Sequence, residues 1–277
     1  MDTTSIELNE LEIVGRGVTS EVYRLDDEKV LKLFTKDYSK EVVDYEAGIA
    51  YEVQRLNVSA PKIYGIVTIG ERYGIVYEYI KGMSLADELS NNRQDAKAIE
   101  EIIDELVRKQ LEVGIVESPA LPKQKTRFRL QLDRTHLDEK TKDKMNAYLA
   151  SMPEKNNVCH GDFHPGNIQR VGDRLVLLDW MNCYSGNIEG DLIRSILTME
   201  TPYLPTHGTQ EEDSNFRSFK QYLAKLYKQT VLSKYNIENY GAWLAIGAGL
   251  KLSDGLADEQ PWLNNIIEEN LKYLAIV

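Results

Sequence analysis

The sequence predicts an α+β chain in two lobes, a β-rich first part and a mainly helical second part. Three observations lead there. Short β-rich runs separated by turn residues fill most of the first eighty positions. After Lys81-Gly82 the text changes to long amphipathic periods of helical spacing. Between the helical stretches lies one turn-prone segment, VCHGDFHPGNIQ (Val158 to Gln169), and two short strand-like runs follow it.

Taken in order, LEIVGRG and SEVYRLDD read as strands joined through glycines, and KVLKLF follows a charged turn. SKEVVDYEAGIAYEVQRLNV carries apolar residues near helical spacing, with Ser39 placed to cap it. APKIYGIVTI and RYGIVYEYI return to the strand pattern, divided by the Gly70-Glu71 turn. An antiparallel sheet with one inserted helix is the economical arrangement for residues 1–81. Within residues 82–277, DAKAIEEIIDELVRKQLEVG and HLDEKTKDKMNAYLASM predict helices with charged outer faces. NIQRV and RLVLLDW predict a strand pair about Gly172-Asp173. From Asp191 onward the pattern is mostly helical, NFRSFKQYLAKLYKQTVLSKY being the longest run.

Composition narrows the function classes. A formal net charge of −11 argues against general nucleic-acid binding, which needs a basic footprint. It suits a neutral or cationic small substrate, and it equally suits a surface that is acidic for solubility alone. MDTTSIELNE lacks the basic-then-apolar layout of a secretory signal. YGAWLAIGAGLKL is too short and too soon interrupted by charge to cross a bilayer. Cys159 and Cys183 show no paired-motif spacing. The expectation is a cytoplasmic protein with reduced thiols, no membrane partner and an oligomeric state left open.

The turn-prone segment admits three chemistries. His160 and Asp162 with the distant His207 match an H-x-D…H facial triad for non-haem iron, but that site belongs to a β-jelly roll and the region after Asp191 reads as helical. A serine hydrolase would need a G-x-S-x-G elbow before a helix, which is missing. Phosphoryl transfer needs a carboxylate at the attacking hydroxyl, oxygen ligands for magnesium and a cation on the nucleotide phosphates. Asp162 and Asn167 in D-x-x-x-x-N supply the first carboxylate and a neutral ligand. Asp179, at the end of RLVLLDW, supplies a second carboxylate. Magnesium commonly takes only one or two ligands from protein, so the Asn167–Asp179 pair is sufficient.

Upstream residues complete that third reading. Gly15 and Gly17 in GRGVTSEVY place bare backbone in a strand–turn–strand context, where it can approach phosphates or simply form a hairpin. Lys32 sits in an alternating strand and either meets phosphates or snorkels to solvent. Glu46 or Glu52 on the next helix is placed to pair with it, or to be a solvated charge. The joint order of these elements is the specific signal: glycine loop, strand lysine, helix glutamate, H-x-D-x-x-x-x-N and strand-end aspartate.

HGDFHPGN followed by LLDW resembles the aminoglycoside phosphotransferase and choline kinase-like group of small-molecule kinases, and the likeness spans almost the whole chain. The resemblance implies a protein-kinase-like fold, in which residues 1–81 are the nucleotide-binding lobe and 82–277 carry the catalytic loop and substrate site. It implies Asp162 as catalytic base, Asn167 and Asp179 as magnesium ligands, and Lys32 on the α- and β-phosphates of ATP or GTP. Glu46 matches the family's helix glutamate better than Glu52. YEYIKG resembles the hinge, where the main chain at Glu78 and Ile80 would hold adenine. His160 is expected to buttress the loop. His164 stands where protein kinases carry a lysine, and either touches the transferred phosphate or is structural. Asp191 matches a family aspartate at a helix start, with capping the expected role over substrate contact.

Departures from the pattern also carry information. Protein kinases have arginine where Gly161 stands and Phe-Gly where Trp180-Met181 stand, so phosphorylation control of that kind is not expected. The family's histidines in the helix after the hinge have no counterpart in IIDELVRKQLEVG. The acceptor implied is a small alcohol, aminoglycoside-like or an amino-alcohol or sugar metabolite. Glu211, Glu212 and Asp213 either attract an amine-bearing acceptor or form an exposed loop. The alternative of another class is a nucleotide-binding regulator of the same fold that does not catalyse.

Overall fold

The computed structural model describes residues 8–17, 19–203 and 210–274. Their strands and helices, in chain order, are β1 (Ile13–Arg16), β2 (Ser20–Arg24), β3 (Lys29–Phe34), α1 (Lys40–Arg55), β4 (Ile63–Ile69), β5 (Arg72–Glu78), β6 (Met83–Ser84), α2 (Leu85–Asn91) and α3 (Ala96–Ile115). There follow α4 (Gln124–Asp133), α5 (Glu139–Ser151), β7 (Asn157–Cys159), β8 (Ile168–Val171), β9 (Arg174–Leu177), β10 (Tyr184–Gly186), α6 (Ile188–Glu200), α7 (Gln210–Lys234), α8 (Tyr240–Lys251) and α9 (Gln260–Asn270). The chain divides into two compact units: the described parts of Met1–Leu85 with Gly166–Met181, and of Ala86–Pro165 with Asn182–Val277.

The first unit holds an antiparallel five-stranded sheet in the order β1-β2-β3-β5-β4. Alternation along β3 decides its two faces. Leu31 and Leu33 join Tyr23, Val67 and Val76 in one buried cluster. Phe34 lies on the opposite face, packed with Val43, Ala47 and Ala50 of α1 and with Ile63 and Ile75. Lys32 shares that α1-facing side, and its Nζ stands 5.4 Å from the Phe34 ring centre. Ser39 stands at the N-cap of α1, but its side chain makes no capping bond; its carbonyl accepts the Val43 N–H at 3.3 Å.

A second small sheet, β6-β8-β9, completes this unit. Gly82 is required there, because a Cβ would lie 2.4 Å from the Arg170 carbonyl oxygen. The β8–β9 hairpin turns at Gly172, with φ +59, and is tied back to Ser59. The Leu177 N–H donates to the Ser59 carbonyl, and the Ser59 hydroxyl donates to that of Leu175.

Among its described residues, the regular structure of the second unit is helical apart from the short β7–β10 pair. Ile99, Ile102, Ile103, Leu106 and Val107 line the buried face of α3 at three-to-four spacing, and Asp95 caps it by accepting the Ala98 N–H at 3.0 Å. On α6, Leu192, Ile193, Ile196 and Leu197 are fully buried. Helix α7 is the longest, over the run expected. No helix among the described residues is long and apolar enough to cross a membrane.

Candidate active site

In the first unit the β3 alternation and the α1 register bring three expected residues together. Lys32 Nζ donates to Glu46 Oε1 at 2.8 Å and to Asp179 Oδ1 at 3.3 Å. Glu46 is the α1 glutamate that pairs with Lys32. Glu52 instead pairs with Arg55 on the helix surface. Burial alone would lower the Lys32 pKa, but the two carboxylates outweigh it and hold it raised. Burial pushes the Glu46 carboxyl up against the pull of Lys32. Glu46 Oε2 is buried without a partner among the described residues.

The β8–β9 hairpin places Asn167 and Asp179 at the same end. Ile168 pairs with Leu177, and the Leu178 N–H donates to the Asn167 carbonyl at 2.7 Å. Asp179, half exposed, adopts φ +58, a left-handed conformation uncommon outside glycine. The Trp180 indole N–H donates to the Leu177 carbonyl at 2.9 Å and braces this turn. One amide oxygen and one carboxylate are hard donors of the kind magnesium takes from a protein, with phosphate and water completing its shell. Among the described residues no group of three or more His, Cys, Asp or Glu side chains could hold a metal unaided.

Gly15 and Gly17 flank the β1–β2 turn, closed by the Gly17 N–H on the Ser20 carbonyl at 2.9 Å. A Cβ at Gly15 would make ordinary contact with Val22 at 3.5 Å, and one at Gly17 would come no nearer than 3.7 Å to Ser20. Packing among the described residues therefore does not itself demand these glycines. Glu78 ends β5 with its N–H on the Lys62 carbonyl, while the Ile80 N–H donates to nothing among the described residues. A free main-chain donor is what a hinge offers a purine edge.

Asp162 and His164 lie in the second unit, in the turn after β7. His164 Nε2 stands 3.8 Å from Asp162 Oδ2. His160 is buried, and its Nδ1 accepts the Asp162 N–H at 3.3 Å. Its ring meets Phe163 edge-on at 5.9 Å. That Nδ1 is committed to the loop. His207, the third member of the iron triad, lies outside the described residues, and the β-jelly roll that such a site uses is not this architecture.

Gly161 is there for a geometric reason. Its φ is +79, and a Cβ would sit 2.1 Å from the Asn182 carbonyl oxygen. Its N–H donates to Asp191 Oδ1 at 2.6 Å. This corrects the capping role expected of Asp191: Asn187 occupies the N-cap of α6, and Asp191 lies inside the helix. Its other oxygen accepts from Gln110 Nε2 at 3.0 Å, and that amide also reaches Ser195 and receives the Tyr227 hydroxyl. Burial pushes the Asp191 carboxyl up, opposed first by the Gln110 hydrogen bond. Gln110 was not among the expected residues; its signal is a polar residue on the apolar stripe of α3, in step with Ile103, Leu106 and Val107. The side chains of Glu211, Glu212 and Asp213 lie outside the described residues.

Comparison with known proteins agrees with this reading of the fold. No curated protein sequence matches the chain. Among solved structures it is similar to the amicoumacin kinase hAmiN in complex with AMP-PNP, Ca2+ and Ami (TM-score 0.60, 14% identity, 96% of this chain and 89% of that one). It is similar to a thermostable mutant of aminoglycoside phosphotransferase APH(4)-Ia in its apo form (TM-score 0.62, 13% identity, 97% and 96%). A choline/ethanolamine kinase family protein from Mesorhizobium loti also resembles it (TM-score 0.52, 17% identity, 99% and 88%). At these identities the likeness establishes the two-lobed, protein-kinase-like α+β fold. Residues 10–217 match the model of the phosphotransferase enzyme family (APH), and the chain belongs to that family.

Proposed function

We propose that the chain transfers the γ-phosphate of ATP or GTP to a hydroxyl group of a small molecule. The observation that carries this reading is Lys32 held between Glu46 and Asp179, a cation aimed by one buried carboxylate beside a second, half-exposed one. In this mechanism Lys32 binds the α- and β-phosphates, while the backbone at Gly15 and Gly17 covers the phosphate chain. The main chain at Glu78 and Ile80 receives the base. Asn167 and Asp179 would hold magnesium, which neutralises charge on the phosphate oxygens when bound.

Asp162 orients the acceptor hydroxyl and takes its proton as the acceptor oxygen bonds to the γ-phosphorus and the bridging oxygen leaves with the nucleoside diphosphate. The hydroxyl needs no early deprotonation, because little bonding to the nucleophile precedes cleavage in a loose transition state. Catalysis is then mainly positioning and charge neutralisation. His164, within 4 Å of Asp162, contacts the transferred group or the base.

The test is Mg-ATP turnover, read as nucleoside diphosphate release, against aminoglycosides, macrolides, choline and amino sugars. Alcohol-dependent release is expected. Nucleotide binding without release for any acceptor would favour the silent-regulator reading instead.

A further inference from the structure

The second unit contains a cavity of about 650 Å³ walled by the C-terminal end of α6, the face of α7 and Trp262 of α9. That is the size of a pocket for a small organic molecule. Its lining is basic, although the chain as a whole carries a net charge of −11. Arg217, Lys220, Lys225 and Lys228 face it, and Glu200 is the one lining carboxylate among the described residues. Glu200 already pairs with Lys228 at 2.9 Å, so three cations remain to set the field.

We infer that this cavity binds an anionic small molecule, a carboxylate or phosphate ester. Lys220 is the anchor. Its ammonium donates to the carbonyls of Thr201 at 2.8 Å and Tyr203 at 2.7 Å, which fixes its position and leaves a third N–H with no partner among the described residues. Burial pulls its pKa down to about 8, against the attraction of Glu259 and with further lowering by Lys251 and Arg217. An ammonium so placed gains from an incoming anion. Trp262 and Met199 give the cavity an apolar surface for the ligand's carbon frame.

The net charge of −11 suits a neutral or cationic small substrate, but it is the local lining, not the sum over the surface, that a ligand meets. Anion binding here does not rest on the kinase reading above.

The test is calorimetric titration of the whole chain without nucleotide, using D-gluconate, D-glucose 6-phosphate, D-glucosamine and choline as probes. At least one of the two anions should bind. Its affinity should fall about tenfold or more in Lys220→Met, the loss of one charged hydrogen bond. Because Lys220 also holds two carbonyls, the exposed Lys225→Glu is the second variant and should weaken the same anion in the same direction. Mg-ADP affinity serves as the control for folding. Binding of neither anion, or anion affinity unaltered in both variants, overturns the inference. Anion binding in a chain that releases no nucleoside diphosphate with any alcohol would leave the site standing, so the failure of this inference and that of the kinase reading are separable.

Discussion

The Gly161 N–H donates to the carboxylate of Asp191 at 2.6 Å, thirty residues further along the chain. That bond fastens the segment carrying Asp162 to the interior of α6, through a carboxylate that also holds Gln110. Asp191→Ala takes the acceptor from the Gly161 N–H and one of two acceptors from the buried Gln110 amide, and should destabilise the chain by about 2–4 kcal/mol. Asp191→Asn keeps one acceptor oxygen and should lose less. Thermal unfolding of both variants measures the difference.

Gly161→Ala should be harmful for a separate reason. A methyl group there meets a carbonyl oxygen rather than a flexible side chain, in a left-handed conformation. The strain is on the order of 1–3 kcal/mol, and the loop must shift to relieve it. Turnover should therefore fall by more than the loss of stability explains, which kcat measured well below the unfolding temperature will show.

Lys32→Met should lower kcat by about 10²-fold, the usual effect of removing one preorganised charge stabiliser. Glu46→Gln keeps the shape and leaves Lys32 to Asp179 alone, so its kcat should lie between the wild type and Lys32→Met. Equal kcat for wild type and Glu46→Gln would show that Glu46 does not aim the lysine.

Lys220 gives a pH dependence with a definite sign. The folded state binds its proton less tightly than the unfolded chain, so its charge opposes folding fully below about pH 8. That opposition is relieved as pH rises from about 8 toward the ordinary lysine value of 10.5. Anion affinity runs the other way and should fall as pH rises through about 8. Lys251, Arg217 and Glu259 face the same ammonium, and Lys220→Met should flatten the profile.

Much of the first unit was legible because its signals are local. Alternation in KVLKLF set Lys32 between Leu31 and Leu33 on a strand, while helical spacing left both Glu46 and Glu52 open as its partner and the family resemblance favoured Glu46. The order from the glycine loop to Asp179 was readable because a turn marks each junction. Asp191 was misread because an aspartate at a helix start is ordinarily a cap, and its true partners are 30 and 81 residues away. Helix α4 escaped notice because seven of the ten residues of QKTRFRLQLD are polar and only Gln124, Phe128 and Leu132 are buried. β7 and β10 are three residues each, too short for an alternating pattern. The basic cavity arises from side chains one to three turns apart on α7, invisible against a negative total.

The most direct test of the central claim is the Asp162→Ala variant, assayed with Mg-ATP and an acceptor found in the alcohol screen. Phosphate transfer should be abolished while nucleotide affinity, measured by titration with Mg-ADP, stays within about twofold of wild type, because the base acts on the acceptor and not on the nucleotide. Near-normal transfer by this variant would contradict the account.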